Sequence, residues 1–296
     1  MDRGDFIITV YCLVCEVYQE IKAQQSIRRG GFAPALSDEE VITIEICGEY
    51  FKQHTDQDIF DYFQAHYQDY FPNLVDRTLF VRQGANLWMV KVLIQQRLTV
   101  LSGQADDPVQ IIDTLPLPVC GYTRSARERC FKPWADYGHC AAKQLDYYGF
   151  KLGLRIARSG MITYYPLLPA RPHDIQFLTE LVENFAGLVP ADKGFIDALR
   201  HAWLNDHQAV QVVTPARQGM VETHHPRLLN ACRRLRKRIE TVGSQLTERF
   251  AINRIRVRDL WHFQHRLIRK ILAHTIGVFL NLLAGQKPLD LDGLLA

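Results

Sequence analysis

The chain has 296 residues, of which 47% are hydrophobic and 23% are charged. That composition is typical of a folded globular protein with one large domain or two of ordinary size, and it excludes a disordered or low-complexity chain. The two longest apolar stretches, residues 6–18 and 271–284, are short and carry polar side chains. They argue against a signal peptide and a transmembrane helix, so we expect a cytoplasmic protein with no membrane contact.

The seven cysteines are scattered through the chain. Cys12 and Cys15 have the spacing of a redox or zinc pair but lack a second pair nearby, and Cys130, His139 and Cys140 lack the spacing of a closed zinc site. We therefore expect reduced, structural thiols, as in cytoplasmic proteins.

The net charge of +3 conceals an uneven distribution. Residues 1–100 hold 9 Lys and Arg against 14 Asp and Glu, whereas residues 216–270 hold 14 against 4. A basic segment of this density indicates a polyanionic partner, although a solvated helix face is the alternative interpretation.

The first hundred residues follow helical periodicity. Ser37 and Glu40 have the spacing of a capping box, in which two reciprocal hydrogen bonds begin a helix. A further helix is predicted from Asp76 to Leu101. We therefore predict a helical domain over residues 1–104.

From Val109 onward the periodicity changes to that of strands. Val109–Asp113 is a short apolar strand, residues 148–157 alternate between two faces, and Ser159-Gly160 turns the chain into the second strand of a hairpin. The remaining pattern predicts, in order, a helix over 174–187, a strand over 188–192, a helix over 197–205, a strand over 210–214 and two long basic helices over 227–250 and 259–283.

This order predicts an α/β fold, a mixed sheet flanked by helices. We assign residues 105–256 to the sheet domain and residues 257–296 to a C-terminal helix that packs on it. The segment from Leu115 to Asp146 is predicted to be an insertion over the sheet.

Three carboxylates stand out by position. Asp113 and Asp192 each end a predicted strand, and Glu240 lies within the first long basic helix. Hard divalent ions prefer such oxygen ligands, and phosphoryl transfer uses metal ions at both the attacking and the leaving oxygen. Taken singly, however, an Asp at a strand end is commonly a turn former, and Glu240 has the spacing of a salt bridge with Arg236.

Taken together, the pattern resembles bacterial insertion-sequence transposases of the DDE superfamily, whose catalytic core has the ribonuclease H-like fold. The resemblance covers nearly the whole chain and depends on the following segments: Ile111-Ile112-Asp113-Thr114, Val189-Pro190-Ala191-Asp192-Lys193-Gly194-Phe195, and Arg236-Lys237-Arg238-Ile239-Glu240 followed by Gln245-Leu246 and Phe250. Arg233, Gly243 and Thr247 depart from residues common in that family.

The resemblance implies that Asp113, Asp192 and Glu240 are the catalytic residues and the ligands of two Mg²⁺ or Mn²⁺ ions. It implies metal-dependent cleavage at the terminal inverted repeats of a mobile element, followed by in-line transfer of the freed strand to target DNA. On this basis we expect Arg233, Arg236 and Lys237 to contact DNA, the helical domain to bind the element ends, a homodimer to be the active form, and the protein to be nucleoid-associated when bound.

Two alternatives remain at this point. One is a DNA-binding protein of the same ancestry that has lost catalysis. The other is a carboxylate-based glycoside hydrolase, which leaves the basic segment without a purpose.

Overall fold

The computed structural model describes residues 1–27, 30, 33–140 and 144–295. The contacts divide the chain into two compact units: a helical unit, Met1–Ser102 with Gln245–Ala296, and a sheet unit, Gly103–Ser244. Within the described part of the chain, no helix combines the length and the apolar character needed to cross a bilayer.

In the part of the chain that the structure describes, five helices come first and all strands lie after residue 102. The helices are α1 (Arg3–Gln24), α2 (Asp38–Tyr50), α3 (Asp56–His66), α4 (Arg77–Asn86), α5 (Trp88–Leu101), α6 (Leu178–Leu181), α7 (Ala198–Gln208), α8 (Pro226–Ser244) and α9 (Leu260–Leu283). The strands are β1 (Gln110–Gly121), β2 (Asp136–Cys140), β3 (Leu145–Ala157), β4 (Ile162–Tyr164), β5 (Leu167–Pro169), β6 (Gly187–Pro190) and β7 (Val210–Val213).

The N-terminal helices follow the sequence prediction closely. The capping box is present at α2, because the Glu40 N–H donates to Ser37 Oγ at 3.1 Å and the Ser37 N–H donates to Glu40 Oε2 at 2.6 Å. The single helix predicted over 76–101 is instead two helices. They separate at Leu87, whose N–H is shared between the carbonyls of Gln83 and Gly84, an arrangement common at helix ends.

The C-terminal helix α9 differs from the prediction that it packs on the sheet domain. In the structure the chain from Gln245 onward belongs to the helical unit, where α9 packs against α2 and α5. Its residues from Leu267 to Asn281 are all buried. A helix that is buried on every side needs neighbours on every side, and α2 and α5 supply them.

The core of the helical unit contains a network of buried charges. Arg269 of α9 donates through Nε to Glu49 at 2.8 Å and through Nη1 to Asp56 at 2.6 Å, and Lys270 reaches the same Glu49 at 2.8 Å. Although burial alone raises the pKa of Asp56, the guanidinium groups of Arg269 and Arg266 outweigh it and lower the pKa to about 2. The network therefore keeps buried carboxylates ionised.

A second part of this network surrounds Glu45. Lys91 of α5 pairs with Glu45, and its ammonium also lies 3.0 Å from Nδ1 of the buried His265. Burial, together with the cations Lys91 and Arg269, lowers the pKa of His265 well below its usual value. His265 is therefore neutral, and its Nδ1 accepts a hydrogen bond from the Lys91 ammonium.

The buried histidines make acid destabilisation a testable property of the helical unit. Burial and the nearby Arg249 lower the pKa of His274 to about 3, against about 6.5 in an unfolded chain. As the pH falls, the imidazole of His274 is protonated in the unfolded state before it is protonated in the folded state. The contribution of His274 to the free energy of unfolding is therefore fully present above pH 6.5 and is lost as the pH falls toward 3, at up to about 1.4 kcal/mol per pH unit. We expect His274→Gln to flatten this slope in urea titrations between pH 7 and 4. The exposed His66→Gln serves as the control and should leave the slope unchanged; an unaltered slope in His274→Gln would contradict the assignment.

The sheet unit has a five-stranded antiparallel sheet and a two-stranded parallel sheet, which a single parallel bridge connects. β1 pairs antiparallel with β3, with Asp113 opposite Leu154, and β3 also pairs antiparallel with β2, β4 and β5. β6 and β7 pair in parallel, and a parallel bridge from Val109 to Leu188 connects the start of β1 with β6. The coarse prediction of an α/β fold with a hairpin at Ser159-Gly160 is confirmed.

Two predicted elements of the sheet unit differ. β1 does not end at Asp113 but continues to Gly121, so part of the predicted insertion 115–146 belongs to the sheet, as does β2; residues 141–143 of that segment lie outside the described residues. Pro116 and Pro118 weaken the strand signal there, and a strand at a sheet edge tolerates them. The helix predicted over 174–187 is only a 3₁₀ turn, Asp174–Phe177, followed by the single turn α6.

Candidate active site

Asp113 is the fourth residue of β1 and is partly buried. The backbone N–H of Thr114 donates to its Oδ1 at 2.8 Å. Burial is the main cause that raises the pKa of Asp113 to about 6; the carboxylates of Asp192 and Asp174 act in the same direction, and the Thr114 N–H and the Arg236 guanidinium act against it. Asp113 is therefore a carboxyl group whose charged form is disfavoured mainly by burial.

Asp192 lies two residues beyond β6, at the start of the 3₁₀ turn Lys193–Phe195. Its carbonyl accepts the Phe195 N–H at 3.0 Å, which fixes the turn. The side chain is half exposed, and its Oδ1 lies 3.2 Å from Nη1 of Arg236 on α8. Asp192 is thus accessible to solvent and is paired with a cation from the helix that carries Glu240.

Asp174 is an acidic residue of the site that the sequence analysis missed. It begins the 3₁₀ turn Asp174–Phe177, and its Oδ1 accepts from Lys151 of β3 at 2.8 Å. A Cβ built on Gly194 would stand 3.5 Å from Asp174 Oδ2, so the chain after Asp192 passes beside it. In the sequence Asp174 is noticeable only as a residue that begins a helix. No neighbouring residue in the sequence distinguishes a carboxylate that caps a helix from one that lies near Asp113.

Glu240 lies one helical turn after Arg236 on α8 and is exposed. The adjacent Ile239 and Val242 are buried, and a Cβ on Gly243 would stand 4.0 Å from Leu115 Cδ1, which places the end of α8 beside β1. That contact is an ordinary one, so the space here does not require glycine.

Of the three predicted catalytic carboxylates, Asp113 and Asp192 are within electrostatic range of each other, and Glu240 stands on the helix that Arg236 ties to Asp192. Among residues 1–27, 30, 33–140 and 144–295, no three His, Cys, Asp or Glu side chains are gathered closely enough to hold a metal ion. The described arrangement is therefore a pair of carboxylates with a third on the neighbouring helix.

The three predicted DNA contacts have different surroundings. Arg233 and Lys237 are exposed on α8, whereas Arg236 is largely covered and paired with Asp192. α8 also exposes Arg227, Arg234 and Arg238. Its outer surface is thus strongly basic, and Arg236 points away from that surface toward the carboxylates.

A comparison with protein families identifies the class of the sheet unit. The family model described as a transposase DDE domain matches residues 103–260, more than half of the chain and a segment that contains Asp113, Asp192 and Glu240. The chain belongs to this family of DDE transposases, which act on DNA and generally use divalent metal ions. No curated protein and no solved structure matches the chain.

Proposed function

We propose that the protein is the transposase of a bacterial insertion sequence, which cuts the terminal inverted repeats of its element and joins the freed ends to target DNA. In this proposal Asp113, Asp192 and Glu240 are the catalytic residues. The observation that carries it is the meeting of Asp113 and Asp192 with Arg236, four residues before Glu240 on the same helix.

The chemistry of the donor set fits divalent cations. Asp192 and Asp174 both lie within electrostatic range of Asp113, and burial together with these two acids raises the pKa of Asp113 to about 6 against the effect of Arg236. Carboxylate oxygens are the ligands that Mg²⁺ and Mn²⁺ prefer. We infer that Asp113, Asp192 and Glu240 hold two such ions, which when bound supply activation of the attacking oxygen and stabilisation of the leaving oxygen.

The surrounding cations have separate tasks in this proposal. Arg236 holds Asp192 in place, and Lys151, bonded at 2.9 Å to the Pro172 carbonyl as well as to Asp174, fixes the neighbouring turn. The exposed bases of α8, including Arg233 and Lys237, bind the phosphates of the DNA backbone and set its register.

We further propose a ribonuclease H-like arrangement for the sheet unit and a homodimer as the active form. The first is supported by β1, which has an antiparallel neighbour on one side and a parallel bridge on the other. The second follows from the symmetry of two element ends. The helical unit, with Arg77 and Arg82 exposed on α4, is the proposed reader of those ends, in a protein that resides on cytoplasmic DNA.

A catalytically inactive DNA-binding relative is the second candidate, and one observation favours it. Glu240 is exposed and does not join Asp113 and Asp192 in a cluster of three. The two candidates share DNA binding and differ in strand cleavage, so cleavage is the property to measure.

The test is nicking of a supercoiled plasmid that carries the DNA flanking both sides of the gene, with Mg²⁺ or Mn²⁺. We expect metal-dependent nicks at the element ends. We expect Asp192→Asn to reduce the nicking rate by on the order of a thousandfold or more, because the loss of one residue of a catalytic unit removes most of the effect of the whole unit. Asp206→Asn, an exposed Asp of α7, is the matched control and should retain the rate. Equal rates for the native protein and Asp192→Asn would remove Asp192 from the mechanism, and the absence of metal-dependent nicks with intact DNA binding would favour the inactive relative.

A further inference from the structure

A groove rich in aromatic side chains lies in the sheet unit, at a distance along the chain from the carboxylates. It encloses about 670 Å³ between the 3₁₀ turn Tyr122–Arg127, β2 and the segment that joins them. Its lining includes Ser125, Lys132, Trp134, Tyr137 and Tyr148. We call it the aromatic groove.

Two of the rings that line this groove are exposed to an extent that a core does not show, since Trp134 is 50% exposed and Tyr137 43%. Tyr122 lies beside Tyr137 at the edge of the groove and is 57% exposed. Tyr137 stands 5.1 Å from Tyr122 and 5.2 Å from Tyr148, measured between ring centroids, so the three tyrosines form a continuous aromatic wall. Sequence alone does not separate an exposed ring from a core ring.

Several contacts hold the wall and the segment beside it in place. The buried Phe131 packs on Phe150 of β3 with ring centroids 6.0 Å apart, and the Ser125 hydroxyl lies 2.6 Å from the Tyr122 carbonyl and 3.1 Å from the Tyr137 hydroxyl. A fixed platform loses little entropy when a ligand stacks on it.

The charges around the groove are predominantly positive. Four exposed cations, Arg124, Arg127, Arg129 and Lys132, belong to the segment between Tyr122 and Tyr137. Its two acids are occupied by the backbone: Glu128 accepts from the N–H groups of Cys130 and Phe131, and Asp136 from that of Tyr137. In the part of the chain that the structure describes, none of the four cations has an ion-pair partner, which leaves them available to an anion.

We propose that the aromatic groove binds an unpaired stretch of DNA strand, with bases stacked on Trp134, Tyr122 and Tyr137 and phosphates on the surrounding cations. Exposed rings with interspersed cations are the combination by which proteins hold single strands. Duplex DNA does not fit the ring contacts, because its base faces are covered by neighbouring bases. The inference rests on the proposed function, which supplies DNA as the ligand. It adds a second contact site for the strands that cleavage separates.

The test measures binding of a fluorescein-labelled oligo(dT) of 20 nucleotides, and of a 20-base-pair duplex, to the full chain by anisotropy. We expect Trp134→Ala to weaken single-strand binding by about tenfold and to leave duplex binding within twofold. Trp203→Ala is the matched control, since Trp203 is 45% exposed on α7 of the same unit. Trp134→Phe should recover most of the affinity, and Lys132→Gln should make single-strand binding less dependent on salt.

The thermal midpoint of each variant shows whether it is folded. Unchanged single-strand affinity in a folded Trp134→Ala, equal losses for single strand and duplex, or an equal loss in Trp203→Ala would each overturn the proposal. The outcome is separable from that of the proposed function. If single-strand binding depends on Trp134 but the protein does not nick DNA, the result supports the groove and refutes the transposase reaction. If the protein nicks DNA in a metal-dependent way but Trp134→Ala has no effect on single-strand binding, the result supports the transposase reaction and refutes the groove.

Discussion

Replacement of Arg269 by methionine is expected to lower the free energy of unfolding of the helical unit by about 3–5 kcal/mol. Arg269 is fully buried and bonds to both Glu49 and Asp56. Methionine has a comparable length and leaves no large void, so the loss comes from two carboxylates that remain in the core without this partner. Urea unfolding followed by circular dichroism at pH 7 measures the change.

The matched control is Arg97→Met. Arg97 bonds to Glu20 at 2.6 Å, but both side chains are more than one third exposed, and water replaces the lost partner. A much smaller loss than that of Arg269→Met is expected there. Similar losses for Arg269→Met and Arg97→Met would show that the buried network contributes no more than a surface pair.

The second large effect is expected at Glu240. We expect Glu240→Gln to reduce metal-dependent nicking by on the order of a thousandfold or more while DNA binding is retained, because the amide keeps the shape of the side chain and removes the charge that a cation requires. Asp174→Asn tests the alternative third carboxylate, since Asp174 acts on the pKa of Asp113 in the structure.

Glu248→Gln is the control for this pair, because Glu248 is also exposed and lies eight residues further along the chain. Loss of nicking in Glu240→Gln alone assigns the family's third carboxylate to this chain. Loss in Asp174→Asn with normal rates in Glu240→Gln would contradict the assignment and transfer the role to Asp174.

Local signals predicted local structure well. The capping box at Ser37 and Glu40 is present because both of its hydrogen bonds lie within one helical turn. Likewise, the strand that contains Asp113 and the strand before Asp192 are located by apolar runs whose meaning does not depend on distant residues.

The charge pattern was harder to interpret from sequence. Part of the basic segment 216–270 is not a surface at all, because Arg269 and Lys270 are buried against acids from the first hundred residues. Part of the negative charge of the N-terminal region and part of the positive charge of the C-terminal region therefore neutralise each other inside one core. Only the exposed bases, such as those of α8, remain for a polyanion.

The sequence proposes residues for the site but does not reveal their arrangement. Motif spacing points to Asp113, Asp192 and Glu240, but the Arg236–Asp192 pair and the position of Asp174 depend on how β1, β6 and α8 meet. The segment 115–146 was misjudged for a related reason, since its strand pairing with β3 depends on residues some thirty positions away.

The order of synthesis gives the buried ion pairs a further significance. Arg269 follows Glu49 by 220 residues, an interval that takes about 10–40 s on a ribosome. Until Arg269 is made, Glu49 and Asp56 lack the guanidinium that pairs with them in the folded protein, whereas the whole sheet unit is synthesised before α9. The nascent chain is thus expected to complete the sheet unit first and to hold its N-terminal helices incomplete until the last helix arrives.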